Sequence, residues 1–161
     1  MPFPPDFLMD DPTTAKNLWV DNHAANALVQ RLSILDPGRR QLVAIAGAPG
    51  SGKSTFATYL EGVLNKTNSG SAAIVPMDGF HFDDAVLGQQ NASARKGAPF
   101  TFDIGGMAAT LRRLKENVEP QVAVPVFDRS IEISRAGGRL IPQKTPIVLV
   151  EGNYRLLDIP P

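Results

Sequence analysis

Gly47-Ala48-Pro49-Gly50-Ser51-Gly52-Lys53-Ser54 fits the pattern G-x-x-x-x-G-K-[ST], and it stands between an apolar stretch, Leu42 to Ala46, and a helical one, Lys53 to Leu64. Strand, glycine loop and helix in that order are the setting the pattern requires. Glycines open backbone dihedrals closed to other residues, so successive N–H groups can turn inward around phosphate oxygens at the positive end of the next helix. Lys53 supplies a mobile cation for the β and γ phosphates, and the Ser54 hydroxyl, followed by Thr55, supplies an oxygen for Mg²⁺. A chain of this length would match the pattern by accident about once in a hundred or more tries. The expected ligand of residues 47–55 is therefore ATP with Mg²⁺.

Working outward, Leu42 to Ala46, Ala72 to Val75 and Ile147 to Val150 are continuously apolar instead of alternating, as in strands covered on both faces of a parallel sheet. Helical stretches separate them: Lys53 to Leu64, and Ile104 to Lys115 behind an Asp103 cap. A further helix is expected from a Thr13 or Thr14 cap to about Leu35, with Leu18, Ala25, Leu28, Leu32 and Leu35 on one face, stopped by Asp36-Pro37-Gly38. Strand and helix alternate, so the class is α/β, a three-layer fold with helices on both faces of a parallel sheet. Residues 122–142 alternate instead, through Val122, Val124, Val126, Ile131 and Ile133, and predict a β-ribbon with a hairpin at Gly137-Gly138.

The 161 residues, 43% hydrophobic and 20% charged, suit one domain over residues 13–161, after a loosely ordered Pro-rich segment, 1–12. Sixteen Lys and Arg balance sixteen Asp and Glu, so no basic field recommends nucleic acid or an acidic membrane as partner. The absence of Cys removes disulfides, thiolate zinc sites and cysteine nucleophiles. With no leader-like N-terminus and no apolar run of membrane-spanning length, a cytoplasmic protein is expected.

Two acids follow the apolar strands. Glu151, at the end of Ile147 to Val150, is placed to hold Mg²⁺ or its water, or else is a solvent-facing strand end. Asp78, in Val75-Pro76-Met77-Asp78-Gly79-Phe80-His81, leaves its strand beside the phosphate loop, where a carboxylate can take the proton of an attacking hydroxyl; the alternative is a plain Asp-Gly turn. Guanine signatures are poor. Asp103-Ile104-Gly105-Gly106 opens a helix, and Asn65-Lys66-Thr67-Asn68 lacks the acid that reads guanine.

Taken together, Gly47 to Thr55, Met77-Asp78-Gly79-Phe80-His81, Arg95-Lys96-Gly97-Ala98-Pro99 with Phe102-Asp103, Pro125-Val126-Phe127-Asp128 with Ser134-Arg135, and Val150-Glu151-Gly152-Asn153-Tyr154 resemble the phosphoribulokinase and uridine kinase family of P-loop kinases, which includes bacterial pantothenate kinase. Within it the chain is most similar to the uridine-kinase-like branch that includes fructose transport system kinases. The resemblance implies ATP- and Mg²⁺-dependent phosphorylation of a hydroxyl on a small metabolite, with Asp78 as base and Phe80, His81, Lys96, Phe127 and Arg135 toward the acceptor. His81 and Lys96 also read as a turn histidine and a solvated loop charge. Phe127 and Ile133 stand where uridine kinases carry Tyr and His, which weighs against a nucleoside acceptor. A nucleotide-binding module without turnover is the alternative. The resemblance ends at Asp158-Ile159-Pro160-Pro161, short of the strands and Arg-bearing lid that it implies, so slow turnover and self-association through an exposed edge at Leu42 to Ala46 are expected of this chain.

Overall fold

The computed structural model describes residues 19–36 and 38–152, so the expected loose segment 1–12, the Thr13 or Thr14 cap, Leu18 and Asn153-Tyr154 lie outside the described residues. In chain order the elements are α1 (His23–Ser33), β1 (Gln41–Ala46), α2 (Lys53–Thr67), β2 (Ala72–Pro76), a 3₁₀ turn (Met77–Phe80), α3 (Asp84–Gln89), short 3₁₀ turns at Ser93–Arg95 and Pro99–Thr101, α4 (Ile104–Glu116), β3 (Gln121–Asp128), β4 (Ile133–Pro142) and β5 (Ile147–Gly152).

The three apolar stretches form one parallel sheet in the order β1-β5-β2. Its register sets Glu151 opposite both Ile45 and Pro76, so the loop after β1, the end of β5 and the turn after β2 emerge together at the carboxyl edge. All six residues of β5 are buried, as its unbroken apolar run predicts. One face of the sheet packs Ile45, Ile74, Ile147 and Leu149 against Leu32 of α1 and Leu60 and Leu64 of α2. Val75, Val148 and Val150 on the opposite face meet Met107 and Leu114 of α4 and Val122, Val124 and Ile141 of the ribbon. The fold is thus three-layer α/β, as the alternation of strands and helices predicts. At β1 the expectation of full cover fails, because Ala44 and Ala46 are exposed and, among the described residues, β1 pairs with β5 alone.

Two local expectations are corrected. The helix expected to run to about Leu35 is interrupted at Asp21 and Asn22: Trp19 and Val20 are helical, and α1 starts anew at His23, where Asn22 accepts from the Ala25 N–H at 3.0 Å and caps it, while the Asn26 amide donates to the Val20 carbonyl at 2.9 Å. The helical periodicity masked a capping signal inside it. The ribbon turns at residues 129–132, with Glu132 at φ 55°, and not at Gly137-Gly138. Those glycines lie within β4 as a bulge: pairing passes from Val124↔Arg139 to Val126↔Arg135, Gly137 takes φ 65°, and a Cβ on Gly138 would lie 3.0 Å from that of Val126.

Arg40 fastens the amino end of the sheet. Only 2% exposed, it donates to the carbonyls of Thr145, Leu114, Pro142 and Gln143, joining the start of β1 to the end of α4 and the β4–β5 loop. Burial pushes its pKa below the usual guanidinium value, as expected of a cation held by neutral carbonyls. Arg40→Met should strand several buried carbonyls and lower unfolding stability by about 3 kcal/mol, measured by urea titration, with the slope of the transition unchanged.

Candidate active site

The phosphate loop is built as its glycines require. Gly50 and Gly52 have φ of 74° and 83°, the left-handed region closed to most side chains, and nothing lies within 4 Å of where a Cβ would stand. No side chain caps α2, whose N-cap is Gly52, so the first-turn donors face an open cradle suited to an anion. The Lys53 ammonium folds over the loop, donating to the Ala48 carbonyl at 3.0 Å and lying 4.0 Å from Glu151 Oε1. The Ser54 hydroxyl donates to the same carboxylate oxygen at 3.1 Å.

Glu151 is therefore not a solvent-facing strand end. It is 7% exposed, and its carboxyl titrates above the usual range, first because burial disfavours the anion. The Ser54 hydrogen bond and the charges of Lys53 and Arg129 pull the other way, while the nearby Asp78 carboxylate adds to the rise. A hydroxyl and a carboxylate sharing a partly dry corner beside an open phosphate cradle are hard oxygen donors of the kind Mg²⁺ takes.

Asp78 lies in the 3₁₀ turn that follows β2, and its Oδ2 accepts from the Arg129 guanidinium at 2.8 Å. Close packing of ribbon on turn fixes that approach. A Cβ on Gly79 would stand 2.5 Å from the Pro125 carbonyl oxygen, and the Ser134 hydroxyl donates to the Gly79 carbonyl. Asp-Gly is thus more than a turn former here: the glycine lets β3 lie against the backbone beside Asp78.

Ser54, Asp78, Phe127 and Glu151 line one cavity of about 190 Å³, together with Arg129 and Arg139. The sequence-predicted residues divide around it. His81 packs on Phe102 and Phe127, with ring centroids 3.9 and 5.3 Å away, and its Nδ1 lies 3.1 Å from the Asp78 carbonyl. Lys96 does not line the cavity; it lies 5.4 Å from the Phe127 centroid, tied to Asp84 at 2.7 Å and to the Glu132 carbonyl at 3.1 Å. It is a clamp between α3 and the ribbon tip, not a solvated loop charge. Phe80 is 6% exposed within the core under the ribbon, which corrects its expected place toward the acceptor: an apolar ring following the turn is drawn inward. Arg135 is largely exposed outside the cavity, 3.6 Å from Asp128, whose carboxyl is held below its usual range first by its hydrogen bonds with Ser130. Sequence reasoning missed Arg129 and Arg139. Arg139 donates to the Ile74 carbonyl and lies 3.9 Å from Glu61; position next to Asp128 and alternation along β4 were the only signals.

No family model matches the chain. A protein of Schizosaccharomyces pombe bearing the provisional name of a uridine kinase is 34% identical over 135 residues, 81% of this chain and 57% of that protein. A pantothenate kinase of Brucella ovis is 32% identical over 112 residues, 69% of this chain and 34% of its own length. A crystal structure from Silicibacter sp. TM1040, provisionally described as a fructose transport system kinase, superposes with a TM-score of 0.71 at 42% identity, covering 81% of this chain and 64% of that one. The chain spans about half or less of the length of these curated relatives.

Two substitutions test the geometry. Gly79→Ala should cost about 1–3 kcal/mol on urea unfolding, since the clash is backbone against a new methyl group and neither can rotate away. Glu151→Gln tests burial of the acid. A carboxyl whose folded pKa is raised is disfavoured once pH exceeds its unfolded value near 4.3, so the variant should melt above wild type at pH 8, and the gap should close toward pH 4. Melting curves across that range check both the sign and the convergence.

Proposed function

We propose that this chain, which belongs to the phosphoribulokinase and uridine kinase family of P-loop kinases, transfers the γ-phosphoryl group of ATP to a hydroxyl of a small metabolite. The observation that carries the reading is the single cavity shared by Ser54, Glu151, Asp78 and Phe127, with the phosphate loop at its edge. Phosphate-side and hydroxyl-side groups face one space of metabolite size. The names of the relatives support kinase chemistry, and they do not agree on an acceptor.

In this mechanism the amides of residues 47–55 and the Lys53 ammonium hold the triphosphate, which requires Lys53 to exchange the Ala48 carbonyl for phosphate oxygens. Ser54 and Glu151 are the residues that would hold Mg²⁺, which when bound neutralises charge on the β and γ phosphates. Asp78 accepts the proton of the acceptor hydroxyl. The acceptor oxygen bonds to the γ phosphorus as the bond to the β,γ-bridging oxygen breaks, and that electron pair leaves with ADP. Phe127 offers the acceptor an apolar face, while His81 and Lys96 hold that ring. A small polar acceptor, such as a polyol or sugar derivative, suits a cavity of about 190 Å³ in which charged side chains outnumber aromatic ones. The cytoplasm, where ATP is plentiful, is its proposed location.

Asp78→Asn should leave nucleotide affinity within about twofold of wild type and reduce turnover on the acceptor by about 10²- to 10⁴-fold, the range for loss of a positioned general base. Lys53→Ala should weaken ATP binding and abolish turnover together. Titration calorimetry paired with coupled ADP release over nucleoside, pantothenate-like, sugar and sugar-phosphate acceptors measures both. Turnover above a tenth of wild type in Asp78→Asn would remove Asp78 as the base.

A further inference from the structure

Arg129 belongs to none of the elements that build the nucleotide site, yet it ends inside it. It sits at the start of the ribbon turn, its side chain 73% exposed, with one nitrogen bonded to Asp78 Oδ2 at 2.8 Å. It also lines the cavity with Ser54 and Glu151. It therefore shares one cavity with the carboxylate on the hydroxyl side and the serine and carboxylate on the phosphate side. The group in transfer must cross that cavity. An ionised Asp78 facing the oxygens of a γ phosphate is a repulsive pairing at short range, and a cation placed between them relieves it. A guanidinium has five N–H donors in a fixed fork, and the bond to Asp78 uses one of them.

Building on the kinase reading above, we propose that Arg129 is a catalytic residue that bridges Asp78 to the transferring phosphoryl group and stabilises the charge spread over its equatorial oxygens. Its free N–H donors meet those oxygens while the bond to Asp78 aims the fork. The acceptor oxygen–phosphorus bond forms, the bond to the ADP oxygen breaks with its electron pair leaving on ADP, and the acceptor proton goes to Asp78; Arg129 gains and loses no atom. An arginine supplied from a loop to a phosphoryl group in flight contributes about 10³- to 10⁵-fold in turnover where it has been removed. Here the ribbon turn supplies it. At 73% exposure, and with its guanidinium touching only one face of Phe127 at 5.9 Å from the ring centroid, Arg129 is replaceable without unfolding the chain.

The test uses Mg²⁺-ADP with and without aluminium fluoride, which mimics the planar phosphoryl group and needs no identified acceptor. In wild type, aluminium fluoride should tighten ADP binding at least about tenfold. Arg129→Gln should bind ADP alone as wild type does, within twofold, and lose that tightening. Arg112→Gln, which removes an exposed cation on α4 away from the cavity, should keep it. Asp78→Asn should keep or increase it, which separates direct contact with the phosphoryl group from mere orientation of Asp78. Tightening that survives in Arg129→Gln, or that is lost equally in Asp78→Asn, or that is missing from a wild type able to bind Mg²⁺-ADP, overturns the proposal alone. A wild type that does not bind Mg²⁺-ADP overturns the kinase reading, and the proposal with it.

Discussion

The parallel pairing of β5 with both of its neighbours is the constraint on which the site depends. Because Glu151 faces Ile45 on one side and Pro76 on the other, three chain segments far apart in sequence leave the sheet at the same level. The phosphate loop, Glu151 and Asp78 then need no long connections to meet. A slip of one residue in either pairing would carry β5's side chains to the wrong faces and move Glu151 away from Ser54. The buried, unbroken apolar run of β5 guards against such a slip, since Ile147 and Leu149 pack into one core and Val148 and Val150 into the other.

The ribbon is the second half of the construction, and it is held by close contact instead of a broad core. Gly79 admits the Pro125 backbone, Ser134 bonds the Gly79 carbonyl, and the bulge at Gly137 and Gly138 lets β4 bend over Val126. These contacts hold Arg129 and Phe127 over the end of β2, where Asp78 emerges. Lys96 ties the ribbon tip to α3 through Asp84 and Glu132, although these exposed pairs add little stability and serve mainly to set position.

How much of this the sequence disclosed follows from the range of each signal. The phosphate loop, the β5 strand and the Asp103 cap were legible because each is a local pattern whose chemistry acts within a few residues; Asp103 Oδ1 accepts from the Gly106 N–H at 2.8 Å as such a cap should. Asp78 and Glu151 could be named as strand-end acids, but their shared cavity depends on register between strands, which no local pattern states. The ribbon turn was misplaced because Gly-Gly signals a bulge as readily as a hairpin, and the true turn, Arg129-Ser130-Ile131-Glu132, contains no glycine. Phe80 was misassigned because position beside a functional residue does not say which way a ring points. Arg40, Arg129 and Arg139 escaped notice for one reason: their partners lie 51 to 105 residues away along the chain.

Phosphoryl transfer to a hydroxyl at the carboxyl edge of this sheet is the activity proposed for the chain. Phosphorus NMR of the chain with Mg²⁺-ATP and a pool of small hydroxyl compounds follows that event without any coupling enzyme. A phosphomonoester resonance growing in step with ADP, and absent when the pool is withheld, is the predicted result. Accumulation of inorganic phosphate at the same rate with and without the pool, or an unchanged ATP spectrum, would contradict it.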